Sequence, residues 1–429
     1  MVCGTTTRVH FRRDPLNSDV THSIVIIGAG VAGLSAARAL ADRGLQPIVL
    51  EGRERIGGRI WTVRLDRNAI DLGASWIHGT RGNPIAKLAR EAHVSLKKTD
   101  WDQIRFPGVK VGKARKAMAL TRRLFQCRGL GSVADAIPKI WLGDPLTRWA
   151  LTTMIAGEYG EDPAALSLKH WRDDSDFGGG DFLVTCGYGE LVTHLAKGSD
   201  IRTGHTAQAV RQNREGISVE TDRGTFYAEH VIVTLPLGVL KAGSVRFDPQ
   251  LPTRKQHAIK RLGVGVLNKL VLVFEHRFWP KGTRVIGRQG PYSIFVVQGR
   301  TLVGLVGGSA ARMPVPEATE DVLHSLGAPQ PIACIATQWH DDPFSLGATS
   351  VVGPSGTSAD FDVLRAKAGR LFFAGEATSR AHRGTVHGAY LSGQQAANEL
   401  LTSCSLYREG SVQARAFSDQ KASYPPSAN

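Results

Sequence analysis

No uninterrupted apolar run of roughly 18 residues, the length that spans a bilayer as a helix, occurs anywhere in the 429-residue chain. A membrane-spanning protein is therefore not expected. Residues 1 to 22 also lack the apolar segment of a secretory signal, and cysteine is scarce. The five present (Cys3, Cys127, Cys186, Cys334 and Cys404) show neither a CxxC pair nor zinc-ligand spacing. That scatter excludes a disulfide framework or zinc module and implies free thiols, a cytoplasmic location and no metal. Internal repeats and low-complexity tracts are absent too, which excludes a repeat architecture. Acidic residues are in deficit, 38 Asp and Glu against 53 Lys and Arg, for a formal charge of +15. Ten of the basic residues fall between Lys97 and Arg128, against only Asp100 and Asp102. Few aromatics interleave them and no nucleic-acid motif accompanies them, so nucleic acid is not the expected partner.

What is present centres on residues 23 to 59, SIVIIGAGVAGLSAARALADRGLQPIVLEGRERIGGR. The apolar run Ile24 to Ile27 enters Gly28-x-Gly30-x-x-Gly33, a helix-period stretch follows to Arg43, and Gly44 stops it. A second short strand, Pro47 to Leu50, ends on Glu51. This is the pattern of a βαβ unit that binds a dinucleotide. Gly28 allows the tight turn, Gly30 lets backbone approach a pyrophosphate, Gly33 lets helix pack on strand, and Glu51 is placed for a ribose hydroxyl. The following turn, Arg55-Ile56-Gly57-Gly58-Arg59, brings further amides and an arginine towards the same pyrophosphate. Nicotinamide and flavin nucleotides both remain open on this stretch alone.

Further along, DLGASWIHG (Asp71 to Gly79) gathers small residues, an indole and His78 on one loop, which permits close approach to a flat ring. Residues 84 to 96 read as a helix, and 97 to 170 as a basic, mostly helical insertion. Gly178 to Gly180 precede a turn into a helix at GYGELVTHLAKG, and alternation from Ile201 to Leu240 gives strands and hairpins. A helix is expected over Pro252 to Leu262. Lys269 then heads a buried-looking strand in NKLVLVFEHRFWP, an informative place for a charge because an unpaired buried ammonium is costly. The last third carries TQWHDDPFSLGATS, RLFFAGEATS and an amphipathic helix from about Thr385 to Leu401. Nucleotide-binding pieces at start, middle and end imply interleaved domains.

These blocks, in this order, resemble the flavin-containing amine oxidase superfamily, in its polyamine oxidase and lysine-specific histone demethylase-like branch. The resemblance covers about residues 23 to 402. It implies an α/β fold: a Rossmann-like FAD-binding domain of the glutathione reductase type (23–88, 190–255 and 365–404) interleaved with an α+β substrate domain (89–189 and 256–364). Residues 1–22 and 405–429 would be flexible extensions. By position, Gly28, Gly30, Gly33, Glu51, Gly58 and Arg59 would hold the ADP half of FAD, with Val210 at the adenine. Ala74, Ser75 and Trp76 would lie by the isoalloxazine, Gly375, Glu376 and Val386 at the ribityl and pyrimidine end, and Trp339 would be a further cofactor-binding residue. Lys269 corresponds to the family lysine that holds a water near flavin N5, and His78 would hydrogen-bond the substrate. The activity implied is oxidation of a polyamine or other secondary amine to an imine, hydrolysed to aldehyde plus amine, with molecular oxygen reduced to peroxide. An L-amino-acid oxidase, or a flavin-binding scaffold without turnover, are the alternatives.

The chain also departs from the resemblance. The family often flanks the substrate amine with two aromatic rings, and the matching positions here are Thr349 and Thr385. Trp339, Phe344 and Tyr390 are the aromatic residues available to replace a ring. Glu158 matches an acid near the substrate tunnel, suited to a distal ammonium, and Asp173, Asp174 and Asp176 fall in the stretch that meets basic peptides in demethylases. The long helical tower insertion and added N-terminal domain of chromatin demethylases are missing, so histone demethylation is disfavoured.

Overall fold

The structure is a computed structural model and describes residues 21–65, 68–101 and 103–421. The elements that position the site are β1 (Thr21–Ile27), α1 (Val31–Ala41), β2 (Ile48–Leu50), β3 (Trp76–His78), α2 (Val111–Thr121), β4 (Asp181–Val184), β5 (Gly224–Val233), β6 (Leu267–Val273), β7 (Thr349–Val352), β8 (Leu371–Phe373) and α3 (Val386–Lys421).

β1 is β-branched and apolar, and it becomes the centre of a sheet because it can pair on both edges. It runs parallel to β2 on one side and to β5 on the other, with Val25 opposite both Ile48 and Val231. β8 joins the carboxyl half of β5 in parallel. The hairpin strands Ala207–Gln212 and Ile217–Thr221 extend the sheet, and Asp200–Arg202 closes the other edge beside β2. Helices cover the faces, as a mainly parallel sheet requires. α1 and α3 pack on one face through Leu34, Ala37, Ala397 and Leu400. Leu237, Ile259, Phe361 and Leu364 fill the other. A Cβ at Gly33 would sit 1.9 Å from the Gly28 carbonyl oxygen, so that crossing of helix over strand admits no side chain.

A second sheet is built around β6, which pairs antiparallel with Thr301–Gly307 and Ala333–Ala336. Its far edge is Ile104–Arg105, from the basic stretch. A separate small sheet joins β3, β4 and Leu96–Lys98, strands that come from both sides of the expected domain boundary near residue 88. Two expectations are corrected here. The helix from 84 stops at Glu91, because His93 takes a left-handed turn at φ 54°, and residues 96–98 form a strand instead. The basic stretch is mostly helical, as expected, with the short strand Ile104–Arg105 before α2, whose Lys113, Arg115 and Lys116 are exposed. α3 runs past Leu401 to Lys421, into the span expected as a tail, while residues 1–20 and 422–429 lie outside the described residues. Among the described residues no helix is long and apolar enough to cross a membrane.

Candidate active site

The nucleotide end is assembled by local sequence. Gly28 N–H donates to Leu50 C=O (2.7 Å), locking the turn after β1 onto β2. Glu51 is 6% exposed and its two carboxylate oxygens accept from Ala29 N (2.8 Å) and Arg53 N (2.9 Å), which fixes the acid at the carboxyl end of β2. Gly57 N–H donates to Ala29 C=O, so the second glycine turn is held against the first. Nothing lies within 4 Å of where a Cβ on Gly30 would project. Gly30 also caps α1 with no side chain covering the helix terminus. An open glycine at a bare helix N-terminus is what a pyrophosphate needs, so these residues fit the ADP half of a dinucleotide.

Arg59 reaches across the sheet ends to Ala348 C=O (2.8 Å) and to Glu376 (2.9 Å). Glu376 is 5% exposed, and its other oxygen accepts from Ser350 Oγ (2.5 Å) and Gly384 N (2.8 Å). One buried carboxylate thereby ties together the arginine of the glycine turn, β7 and the loop before α3. Gly375, at φ 138°, presents no neighbour within 4 Å of a Cβ, and a cavity bordered by Arg59, Thr234, Pro236, Gly375 and Glu376 opens there. Ligands of open α/β sheets sit at this carboxyl end of the strands. Val386 begins α3 just beyond.

Lys269 enters the middle of this arrangement from β6. Its ammonium donates to Asp71 C=O (2.6 Å), Gly73 C=O (2.5 Å) and Ser75 Oγ. All three N–H donors therefore bind the loop that carries Ala74, Ser75 and Trp76, and a water would have to displace one of those acceptors. Burial pushes the Lys269 pKa down to about 8, with the Asp71 carboxylate opposing the shift. The ammonium also lies 5.6 Å from the Trp76 ring centroid. Trp339 closes the same corner: it is 5% exposed, donates Nε1–H to Leu72 C=O (3.2 Å) and stands edge-on to Trp61.

Beyond Trp76, β3 delivers His78 directly opposite Asp181 of β4. His78 Nδ1 is 3.0 Å from Asp181 Oδ1, and Trp101 Nε1–H donates to Asp181 Oδ2 (2.8 Å). Trp76 and Trp101 pack with ring centroids 5.4 Å apart. The His78 side chain keeps 46% of its surface and Glu158 is likewise exposed, yet both are strongly desolvated by surrounding protein. Burial alone would lower the His78 pKa, but the Asp181 hydrogen bond and the charges of Glu158, Asp181 and Asp176 outweigh it and raise the pKa. Burial raises the Glu158 pKa, which His78 opposes and Asp181, Asp176 and Asp174 reinforce. The sequence reading found His78 and Glu158 but missed Asp181 and Trp101; the one signal was an acid at the head of a short apolar strand.

Of the remaining site residues, Thr349 and the turn before Thr385 stay together, since a Cβ on Gly384 would meet Thr349 Oγ, while the others disperse. Thr349 is buried in β7, and Thr385 Oγ is used locally, donating to His382 C=O and accepting from Gly388 N. Val210 is 1% exposed within the apolar cluster behind the sheet, so its side chain offers no open surface. Of the ring candidates, Phe344 lies beneath the Arg53 guanidinium (5.1 Å) near the Glu51 end, and Tyr390 packs against the cluster of α1 and α3. Neither replaces a ring beside Thr349; Trp339 alone stays near the Lys269 loop. Asp173 is tied to His170 (2.6 Å) and Ser358 (2.9 Å), and Asp174 to Arg383 (3.3 Å). Asp176, with a side chain 80% exposed, is the freest of the three.

Comparisons with known proteins identify the family and the fold. The family model for flavin containing amine oxidoreductase matches residues 31–122 and 144–401. Protein FLOWERING LOCUS D of Arabidopsis thaliana is 35% identical over 88% of this chain and 55% of its own length. Polyamine oxidase 4 of Oryza sativa subsp. japonica is 32% identical over 88% of both chains. The chain thus spans about half the length of the first curated relatives it matches. A solved putrescine oxidase bound to putrescine shares the fold, with a TM-score of 0.73 at 21% identity, covering 89% of this chain and 99% of that one. The chain belongs to the flavin-containing amine oxidoreductase family, in its polyamine oxidase and lysine-specific histone demethylase-like branch, and its cofactor is FAD.

Proposed function

We propose that the chain catalyses FAD-dependent oxidation of a polyamine or other secondary amine at the carbon beside nitrogen. The observation that carries this reading is the acidic cluster next to the Ala74–Trp76 loop, where Asp181 contacts His78 and the charges of Glu158 and Asp176 act on the same imidazole. A field of carboxylates favours a cationic amine and opposes the carboxylate of an amino acid, which disfavours an L-amino-acid oxidase. The bound flavin supplies the acceptor for two electrons and a hydrogen from the C–H bond. The chain's residues do the rest. Glu158 holds a distal ammonium, His78 meets the reacting nitrogen, and Trp76 and Trp339 shape an apolar slot. The Lys269 ammonium fixes the loop between that slot and the second sheet. Hydrolysis of the released iminium gives an aldehyde and a smaller amine.

The resemblance to demethylase-like chains does not fix a protein substrate. Asp173 and Asp174 are held by internal partners, and Asp176, though 80% exposed, pairs with Arg172 (3.6 Å), so that stretch offers a basic peptide little. The test is anaerobic mixing of the FAD-loaded protein with diamines, polyamines, monoamines, amino acids and a methyl-lysine peptide while the flavin absorbance is followed. Bleaching by a polyamine or diamine is expected. Bleaching by an amino acid alone would refute the reading, and no bleaching by any amine would favour a scaffold.

A further inference from the structure

We propose that Asp181 is a positioning residue that fixes His78 with hydrogen on Nδ1, so that Nε2, on a side chain that keeps open surface, presents a lone pair to the substrate and takes the proton of its ammonium. The inference rests on the amine-oxidase reading and adds a residue that no motif marks.

The geometry leaves little freedom. Cross-strand pairing sets His78 opposite Asp181, and the 3.0 Å contact joins Nδ1 to Oδ1. A carboxylate accepts only, so the hydrogen in that contact belongs to Nδ1. Asp181 is itself pinned from its other oxygen by Trp101, whose ring packs on Trp76. Burial raises the Asp181 pKa, but the hydrogen bonds from His78 and Trp101 and the His78 charge overcome it, which keeps the group ionised. The backbone end of His78 is held as well, since its carbonyl accepts from Asn83 Nδ2 (2.9 Å).

Other charged groups face the imidazole. Glu158 and Asp176 add negative potential. From the α3 side His387 approaches, and burial with His382 and His78 nearby lowers its pKa to about 3, so it stays neutral. His382 stacks on Phe177 outside it. Lys98 lies two strands away, against Gly180. The negative set dominates, so His78 is a stronger base than a free imidazole. That suits its task, because an amine must lose its proton before the adjacent C–H can be oxidised. In the step the N–H bond of the ammonium breaks, an N–H bond forms at Nε2, the pair stays on the amine nitrogen, and no electron leaves the substrate. The proton then passes to water.

The test uses the FAD-loaded protein and the diamine or polyamine that best bleaches it. D181N is expected to lower kcat/KM by about ten- to hundredfold and to move the acid limb of its pH profile to lower pH. H78N removes that limb, and D181N adds no further loss in the H78N background, as residues acting through one group require. Additive losses, an unmoved acid limb, or an H78N variant with wild-type kcat/KM would each overturn the assignment. Long-range proton–nitrogen spectra of the histidines give a readout independent of turnover, with His78 identified by its loss in H78N. Nδ1–H with Nε2 titrating is expected in the wild type, and the opposite tautomer overturns the proposal even where D181N does not fold. Failure of every amine to reduce the flavin would sink the functional reading instead, and the spectra would still decide the dyad.

Discussion

Lys269 shows how one charge can be buried without being left unmatched. Its three donors meet two carbonyls and a hydroxyl of one loop, so the side chain acts as a clasp between β6 and the Asp71–Ser75 turn. Lys269→Met strands buried acceptors, at about 1–3 kcal/mol for each one left unsatisfied. A lower Tm and slower flavin reduction at saturating amine are expected, read by calorimetry and by stopped-flow absorbance. Folded-state titration gives a second check. The pKa falls from its usual 10.5 to about 8, so between those values the unfolded chain holds a proton that the folded one has lost. Stability from this group therefore rises with pH across that window and is flat below it. Denaturant titrations at the two ends of the window should show the wild type gaining on Lys269→Met as pH rises; a constant difference would mean that the ammonium stays charged.

At the scale of elements, the βαβ unit separates the work of two glycines. Gly33 serves packing, because its Cβ would strike the Gly28 carbonyl, whereas Gly30 serves the ligand, because nothing of the protein lies near its Cβ. Gly30→Ala should leave stability of the flavin-free protein within about 0.5 kcal/mol of wild type while lowering FAD affinity. Gly33→Ala should lower both. Thermal melts with and without added FAD distinguish them, and equal melts for the two flavin-free variants would refute the assignment.

The same unit explains what could be read without a structure. β1, α1, β2 and Glu51 are contiguous, and each is dictated by neighbours within a few turns of chain. The pairing of β3 with β4 joins residues more than a hundred positions apart, and nothing in WIH or DFLV names its partner. Asp181 was therefore invisible as a partner of His78. The acceptors of Lys269 were equally hidden, although its place heading an apolar strand was legible. The helix from 84 was read too long because residues 92–96 keep a helical composition while His93 turns left-handed.

Over the whole molecule the two signs of charge are unevenly placed: the chain carries a formal +15, with Lys113, Arg115 and Lys116 exposed on α2, while carboxylates act on His78. The two act over different distances. At about 0.01 M salt the screening length is roughly 30 Å, and an approaching polyamine feels the distant positive excess; at about 0.1 M it is roughly 10 Å, and the acids near His78 dominate. For a polycationic substrate, kcat/KM should therefore rise with salt over that range. Lys113→Glu, Arg115→Glu and Lys116→Glu together remove six units of positive charge and should flatten the rise while leaving the value at high salt unchanged. Glu158→Gln should do the reverse, lowering kcat/KM at every salt concentration with its slope intact, because that carboxylate meets the substrate within the screening length. A fall in kcat/KM with salt in the wild type would show that the acids already govern approach from afar, and the two sets of variants would then exchange roles.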